Sequence, residues 1–240
     1  MDKFPVTEIF NPTIQGEGKL AGQVSGFVRF GACSFRCSWC DSMHSVDPKQ
    51  IKKNAVYLDE LQITDKLESL GASINSWITL TGGDPCVHEL GNLVALLKGR
   101  DFRVAVETQG ALYKEWLEDC DLVTCSPKGP TSGMHHKLDW RVLNKYVTKL
   151  ASQLVFKIVS FGPADLDFVE EITNTFPQVP LYLTSGTIQH KEPRSAAEVA
   201  PDVLDGYKRL VDAVLARPAL HHATLSPQLH VLLWGNSKGR

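Results

Sequence analysis

Six short apolar segments of β type alternate with helical patterns, and this alternation constrains the fold of the 240-residue chain more than any other feature. The predicted strands are 26–31, 77–81, 102–107, 122–125, 154–160 and 179–184, and the predicted helices are 59–70, 88–98, 164–176 and 201–216. Strands joined through helices pair in parallel and carry the helices on the outside of the sheet. The sequence therefore predicts an α/β fold, either an open doubly wound sheet or a partial barrel. Both bind ligands at the carboxyl ends of their strands.

Composition narrows the class of protein. With 43% hydrophobic residues the chain can bury one large core, and its net charge of −2 lacks the basic excess that nucleic-acid or acidic-membrane binding favours. We therefore expect a small substrate. Residues 1–10 show neither a cationic start nor an apolar run, and no segment is apolar for long enough to span a bilayer. A reducing cytoplasm is the expected compartment.

Three cysteines within eight residues, Cys33, Cys37 and Cys40, form a C-x3-C-x2-C loop. Three thiolates leave one iron of a cubane cluster open, which favours a reactive centre over a structural one. Two alternatives are a structural zinc site completed by His44 or a fourth cysteine, and a disulfide framework. Zinc usually takes paired sets of ligands, and the second pair is missing. The three remaining cysteines are expected to be buried, inert thiols: Cys86, Cys120 and Cys125.

Two further motifs carry polar groups that are ambiguous when taken alone. Thr81-Gly82-Gly83-Asp84-Pro85 follows a predicted strand, where glycines permit close backbone approach to a ligand, although most such segments are simple turns. Gln15-Gly16-Glu17-Gly18 and Arg29 would, in isolation, fit a solvated turn and a structural ion pair. Their occurrence together with the three-cysteine loop favours a binding site instead.

The cysteine loop, with Trp39 before its last cysteine, resembles the signature of the radical S-adenosylmethionine (SAM) superfamily. The resemblance implies a 4Fe-4S cluster whose open iron binds SAM, and a 5'-deoxyadenosyl radical that abstracts hydrogen from the substrate. It also implies that the Gly-Gly-Asp-Pro segment contacts the SAM amino group, with Asp84 where the superfamily carries glutamate.

Gln15-Gly16-Glu17-Gly18, Arg29 and Cys40-Asp41-Ser42 together resemble the 7-carboxy-7-deazaguanine synthases, which act in queuosine biosynthesis, a tRNA modification pathway. The resemblance implies a partial (β/α)6 TIM-like barrel of the radical SAM type. It implies conversion of 6-carboxy-5,6,7,8-tetrahydropterin to 7-carboxy-7-deazaguanine with loss of ammonia, supported by Mg2+. Residues 1–240 are expected to form one domain, with a substrate strip at 8–18 and a closing segment at 224–240.

The same resemblance assigns residues to each ligand. The substrate residues are Ile14, Gln15, Gly16, Glu17, Arg29 and Thr81, and Ser42 is the Mg2+ ligand. The SAM residues are Trp39, Gly82, Gly83, Asp84, Glu107, Ser126, Pro127, Lys128, Thr184, Ser185, Gly186 and Thr187. A pterin ring edge needs paired donors and acceptors such as Gln15 and Glu17, and its carboxylate suits a guanidinium. The cofactor carries the catalysis, and Glu17 or water assists proton transfer.

Other functions remain open at this point. A glycyl-radical-enzyme activase shares the cysteine spacing and acts on a protein partner, and a non-catalytic iron-sulfur carrier or zinc-binding protein would ignore SAM. The family resemblance implies a flavodoxin- or ferredoxin-type electron donor and a homodimer. Gln228-Leu229-His230 is similar to the family's C-terminal Gln-x-His stretch, which closes over the site, although a histidine in an apolar stretch, taken alone, is more often a core residue than a catalyst.

Overall fold

A computed structural model describes residues 3–187, 194–235, 237 and 239. The strands within these residues are β1 (Phe4–Ile14), β2 (Val24–Phe30), β3 (Val56–Leu58), β4 (Trp77–Gly82), β5 (Arg103–Thr108), β6 (Leu122–Cys125), β7 (Leu154–Ser160), β8 (Leu181–Ser185) and β9 (Thr224–Ser226). The helices are α1 (Pro48–Asn54), α2 (Glu60–Ser69), α3 (Gly91–Gly99), α4 (Trp140–Leu150), α5 (Pro163–Thr175), α6 (Ala196–Leu215) and α7 (Leu229–Trp234). None of the helices in these ranges is both long enough and apolar enough to cross a membrane.

The strands form one sheet in the order β3-β1-β2-β4-β5-β6-β7-β8-β9. From β2 onward all neighbours run parallel, whereas β1 is antiparallel to both β2 and β3. The sheet is open, because β3 and β9 remain as its edges. The predicted α/β class is confirmed, and the sheet agrees with a partial barrel.

All six predicted strands are present, as β2 and β4–β8, but the prediction was incomplete elsewhere. It omitted β1, β3, β9, α1, α4 and α7. Helix α6 begins at Ala196 and not at the predicted Pro201, which lies inside the helix. The start is fixed by a capping box in which Ser195 and Glu198 satisfy each other's backbone N–H groups. The proline was therefore a misleading start signal.

Alternation along the strands separates a core face from a cavity face. On β4, Ile78 and Leu80 are fully buried in the main core under the helices, whereas Thr81 lines the cavity. On the inner face, near the amino ends of the strands, an apolar cluster fills the barrel: Leu20, Trp77, Ala105, Leu122 and Val155. The interior is thus closed at one end and open at the carboxyl ends of the strands.

Candidate active site

A single cavity at the carboxyl ends of the strands brings together most of the residues that the sequence predicted. Including its open mouth, it holds about 1270 Å³ of space free of protein atoms. The predicted residues that line it are Ile14, Gln15, Gly16, Glu17, Arg29, Cys33, Cys37, Trp39, Cys40, Ser42, Thr81, Gly82, Gly83, Glu107, Ser126, Lys128, Gly186 and Thr187. Four predicted residues are outside this lining: Asp84, Pro127, Thr184 and Ser185. Their proposed contacts with SAM stay predictions.

The cysteine loop follows β2 and is fastened on its outer side to the segment after β6. The Ser38 amide donates to the Ser132 carbonyl at 3.0 Å, and the Ser38 hydroxyl donates to the Thr131 carbonyl at 2.9 Å. Arg36 donates to the Cys33 carbonyl at 2.7 Å from within the loop. The segment 128–137 therefore braces the cysteine loop.

All six cysteines are free thiols, so the disulfide alternative fails. Burial raises the pKa of the Cys33, Cys37 and Cys40 thiols, and for Cys40 burial together with the Asp41 carboxylate raises the pKa to about 12. Thiolates at these positions thus need a bound metal to offset desolvation, and metal binding must release protons.

The donor set fits an iron-sulfur cluster better than a single zinc ion. Within the described part of the chain, no three His, Cys, Asp or Glu side chains converge on one ion. The His44 ring, the proposed fourth zinc ligand, lies 3.3 Å from the Glu8 carboxylate instead. The remaining thiols are buried as predicted, and burial raises the pKa of each: Cys86, Cys120 and Cys125.

The Gly82-Gly83 turn after β4 packs directly against the start of the cysteine loop. Gly82 has a φ of +116°, and a Cβ on Gly83 would lie 2.0 Å from the Ala32 carbonyl oxygen. A side chain at either position would push the two segments apart.

Asp84 faces away from the cavity and holds the turn in place. Its carboxylate accepts hydrogen bonds from the Cys86 amide at 3.1 Å, the Thr108 hydroxyl at 2.8 Å and the Gln109 amide at 2.8 Å. Burial raises the pKa of Asp84 despite these bonds. The aspartate that replaces the superfamily's glutamate therefore ties β4 to the end of β5.

The floor of the cavity is a buried network of two carboxylates and one ammonium. Lys157, on the inner face of β7, places its Nζ 2.5 Å from Glu17 Oε2 and 3.6 Å from Glu107 Oε1. Glu107 also accepts from Gln15 at 3.2 Å and from the Thr81 hydroxyl at 2.9 Å. The sequence grouped Glu107 with the SAM residues, but its carboxylate contacts residues predicted to bind substrate.

Opposing effects set the charge of Glu17. Burial alone would raise its pKa, but the Lys157 ammonium, the His230 ring and the hydrogen bonds from Lys157 and Gln228 together lower the pKa to about 2. Burial likewise disfavours the charged form of Lys157, yet Glu107 and Glu17 outweigh it and raise the pKa of Lys157. Both groups are therefore charged at neutral pH.

Arg29 lies on the adjacent wall of the cavity. Its Nε is 3.1 Å from Glu8 Oε2, and its guanidinium sits 5.7 Å from the centre of the Phe10 ring. Its Nη1 donates to the Ser42 hydroxyl at 3.4 Å, and Ser42 donates to Asp41 at 2.8 Å. One partly exposed guanidinium thus adjoins the proposed Mg2+ ligand.

The segment before and within α7 closes the cavity from the C-terminal side. The Leu229 amide donates to the Gly16 carbonyl at 3.0 Å, and Gln228 donates to Glu17 Oε1 at 2.5 Å. Thr187 donates in turn to Gln228. The His230 ring packs so closely on Gly16 that a Cβ there would lie 1.9 Å from Nδ1. His230 therefore lines the cavity, where the family resemblance put a closing Gln-x-His stretch, and does not lie in the core.

The expected closing segment, 224–240, is described except at positions 236, 238 and 240, which lie outside the described residues.

Several cavity residues escaped the sequence analysis, and Lys157 and Phe161 are the two that shape its chemistry most directly. Lys157 interrupts the apolar β7 with a single charge, a combination that is rare without a buried partner. Phe161 follows β7, and its ring centre lies 5.2 Å from that of Trp39. Lys128 Nζ lies 5.7 Å from the centre of the Trp39 ring. The cavity wall next to the cysteines therefore consists of two aromatic rings, Trp39 and Phe161, beside the Lys128 ammonium. No sequence pattern indicated that Phe161 would lie there.

Comparisons with known proteins agree with this site. The chain is 36% identical to the 7-carboxy-7-deazaguanine synthase of Bacillus cereus over 100% of both chains, and 36% identical to that of Bacillus subtilis over 98% of both.

Among solved structures, QueE from Escherichia coli has a TM-score of 0.68 at 21% identity and covers 94% of each chain. SuiB from Streptococcus suis bound to S-adenosylmethionine has a TM-score of 0.53 at 13% identity, over 83% of this chain and 49% of that chain. These two likenesses concern the fold.

A scan against protein-family models gave no match. Full-length identity to curated relatives, together with the cysteine loop and the Gln-Gly-Glu-Gly strip in one cavity, shows that the chain belongs to the 7-carboxy-7-deazaguanine synthase family of radical SAM enzymes.

Proposed function

We propose that this protein converts 6-carboxy-5,6,7,8-tetrahydropterin to 7-carboxy-7-deazaguanine with loss of ammonia. One observation carries the proposal. The three free thiols of the cysteine loop and the polar floor formed by the Gln-Gly-Glu-Gly strip line the same cavity. A cofactor held at the thiols would therefore adjoin a ring bound on the floor.

Cys33, Cys37 and Cys40 would hold the 4Fe-4S cluster, and the adjacent wall would bind SAM. When bound, these cofactors supply the radical that abstracts hydrogen from the substrate. The residues proposed to orient SAM are the Gly82-Gly83 backbone, Trp39, Ser126 and Lys128, all of which line the cavity. The Lys128 ammonium donates to the Ser126 hydroxyl at 2.7 Å, so a hydroxyl and a cation are presented together, as a ribose and a carboxylate require.

The substrate would lie across the floor with its ring edge on the strip. Arg29 suits the carboxylate, because guanidinium and carboxylate form charge-assisted hydrogen bonds. Gln15, Glu17 and Glu107 supply the amide and carboxylate groups that a pterin edge needs. We accordingly assign Glu107 to the substrate.

The charge of Glu17 limits its role in proton transfer. With a pKa of about 2, its carboxylate is a weak base at neutral pH, since an efficient general base has a pKa near the working pH. Glu17 therefore serves best as a fixed hydrogen-bond acceptor that orients the ring. Proton movement during ammonia loss is then left to water or to the substrate's own groups.

We propose Ser42 as the protein ligand of Mg2+. Its hydroxyl is buried in the cavity wall next to Asp41 and faces Arg29, where a substrate carboxylate would lie. Mg2+ commonly keeps several waters and takes few protein ligands. Removing Mg2+ with a chelator should slow turnover without reducing SAM binding.

The remaining expectations extend this proposal. One continuous sheet supports a single radical SAM domain, and six free thiols support a reducing compartment such as the cytoplasm. Arg36 is exposed on the cysteine loop, and Lys137 is exposed beside it. These two cations would attract an acidic electron donor of the flavodoxin or ferredoxin type. Val56 and Tyr57, exposed on the edge strand β3, offer a surface for homodimer formation.

The test is anaerobic reconstitution of the cluster, followed by addition of SAM, a strong reductant, Mg2+ and 6-carboxytetrahydropterin, with products followed by mass spectrometry. We expect 7-carboxy-7-deazaguanine to form only when SAM is present. SAM cleavage without this product would retain the radical chemistry but refute the substrate, and would return the activase to consideration.

A further inference from the structure

Lys157 is a charged residue in the middle of an apolar strand. Its neighbours on the outer face of β7, Phe156 and Ile158, are buried in the main core, while Lys157 lines the cavity with a side chain only 12% exposed. Burying an ammonium is costly unless charged partners compensate for lost hydration. Its partners are the two carboxylates of the cavity floor, one from the strip and one from β5.

We propose that Lys157 is a positioning residue for the substrate ring: its ammonium joins Glu17 to Glu107 and fixes both carboxylates as hydrogen-bond acceptors for ring N–H donors. This inference rests on the proposed function. Glu17 lies in a segment without regular helix or strand hydrogen bonding, whereas Glu107 and Lys157 lie on β5 and β7, which β6 joins within the sheet. The ion pair therefore attaches a loop carboxylate to the rigid barrel.

The charges around the floor distinguish this role from direct binding of the substrate carboxylate. Two carboxylates face one ammonium, and the other titratable groups whose charge acts on the pair are His230, from α7, and Asp41, from the cysteine loop. The two carboxylates and the one ammonium together carry net negative charge, which attracts N–H donors rather than a second anion. The substrate carboxylate is better placed at Arg29.

The carboxylates of Glu17 and Glu107 can each accept further hydrogen bonds, which also favours binding of ring N–H groups at the floor. Lys157 and Gln228 each bond a different oxygen of Glu17, and Thr81 and Gln15 bond different oxygens of Glu107. A carboxylate has about four lone-pair sites, so each glutamate retains acceptor sites. A bidentate carboxylate matches adjacent ring and exocyclic N–H groups, which a 2-amino-4-oxo pterin presents.

The experiment compares Lys157→Met with Lys19→Met in cluster-loaded enzyme. Lys19 is an exposed lysine that follows the strip and is not part of it. Dissociation constants are measured with SAM bound for two probes, 6-carboxytetrahydropterin and tetrahydropterin without the carboxylate. We expect Lys157→Met to weaken both probes by the same factor, roughly tenfold to a hundredfold, as loss of charged hydrogen bonding would. We expect unchanged SAM affinity, and Lys19→Met should match wild type throughout.

A loss confined to the carboxylated probe would overturn the proposal by assigning Lys157 to the carboxylate. A parallel loss of SAM affinity would overturn it by showing a purely structural role. The double variant Lys157→Met/Glu17→Gln adds a second check, because residues acting through each other are not additive. Its loss of probe affinity should be clearly smaller than the product of the two single losses, because Lys157 acts partly through Glu17 and partly through Glu107. Losses that multiply would contradict the proposal, while product formation by wild type tests the proposed function separately.

Discussion

Glu17 is a buried carboxylate, and the Lys157 ammonium is the group that favours its ionisation most. Its pKa falls from 4.5 to about 2 on folding, so the ion pair stabilises the fold fully above pH 4.5 and loses that effect as pH falls towards 2. Without Lys157, burial would dominate and raise the pKa of Glu17 above 4.5. The carboxylate would then accept protons nearer to neutral pH.

We therefore predict a pH-dependent defect in Lys157→Met. The ratio of its substrate dissociation constant to that of wild type should rise several-fold as pH falls from 8 to 6, because protonated Glu17 is a poorer acceptor. Taking the ratio removes the titration of the free substrate, which is common to both proteins. A ratio that stays constant across this range would show that Glu17 remains ionised without Lys157.

Burial raises the pKa of all six thiols, so the cluster ligands differ from the inert cysteines in where they lie and not in their acidity. Cys33→Ala should abolish most of the iron and sulfide bound on reconstitution, since Cys33 lines the cavity on the three-cysteine loop. Cys120→Ala is the matched control, because this thiol is buried in the main core and should cost only stability. Equal cluster content in the two variants would refute the assignment.

The contact between the Gly82-Gly83 turn and the cysteine loop couples two elements through backbone atoms. Gly83→Ala would place its Cβ 2.0 Å from the Ala32 carbonyl oxygen, which cannot rotate away as a side chain would. We predict loss of cluster binding and a lower free energy of unfolding, by roughly 1–3 kcal/mol. Gly99→Ala, at the end of α3 with nothing within 4 Å of the added Cβ, should keep the cluster. Iron content and urea denaturation would measure both, and normal cluster loading in Gly83→Ala would contradict the prediction.

The sequence predicted the elements buried on both faces and missed those at the rim. Central strands carry short buried apolar runs, such as residues 104–106 of β5, and these are a strong signal. β1 contains Pro5 and Pro12 and pairs antiparallel near the edge, so its pattern resembles a loop. The missed α4 left a signal, because Leu143, Tyr146 and Leu150 recur at helical spacing and are buried.

The candidate site was predictable where its residues lie in contiguous motifs. The cysteine loop and the strip are such motifs, and the structure brings both to the cavity. Lys157 and Phe161 contribute side chains from outside any recognised motif, so no local pattern places them in the cavity. For His230 the apolar stretch favoured the core and the family resemblance favoured the site, and its packing on Gly16 places it in the cavity.

Segments from opposite ends of the described chain meet over the cavity. The strip enters before β2, and the segment at the start of α7 follows β9, yet the two are hydrogen-bonded through Gly16, Glu17, Gln228 and Leu229. The barrel between them holds both in place through Lys157 and Thr187. A ligand bound on the floor would therefore contact segments far apart in sequence that share one set of bonds.

We predict that these two segments gain and lose protection together in hydrogen exchange. Binding of substrate and SAM should slow amide exchange in both 14–18 and 228–234, since ordering either segment strengthens the bonds to the other. Gln228→Ala, which removes the bond to Glu17, should speed exchange in 14–18 although no residue there is altered. Lys208→Ala on the exposed face of α6 is the control and should leave both segments unchanged. Faster exchange confined to 228–234 in Gln228→Ala would show that the two segments open independently, and substrate would then need separate contacts to order each one.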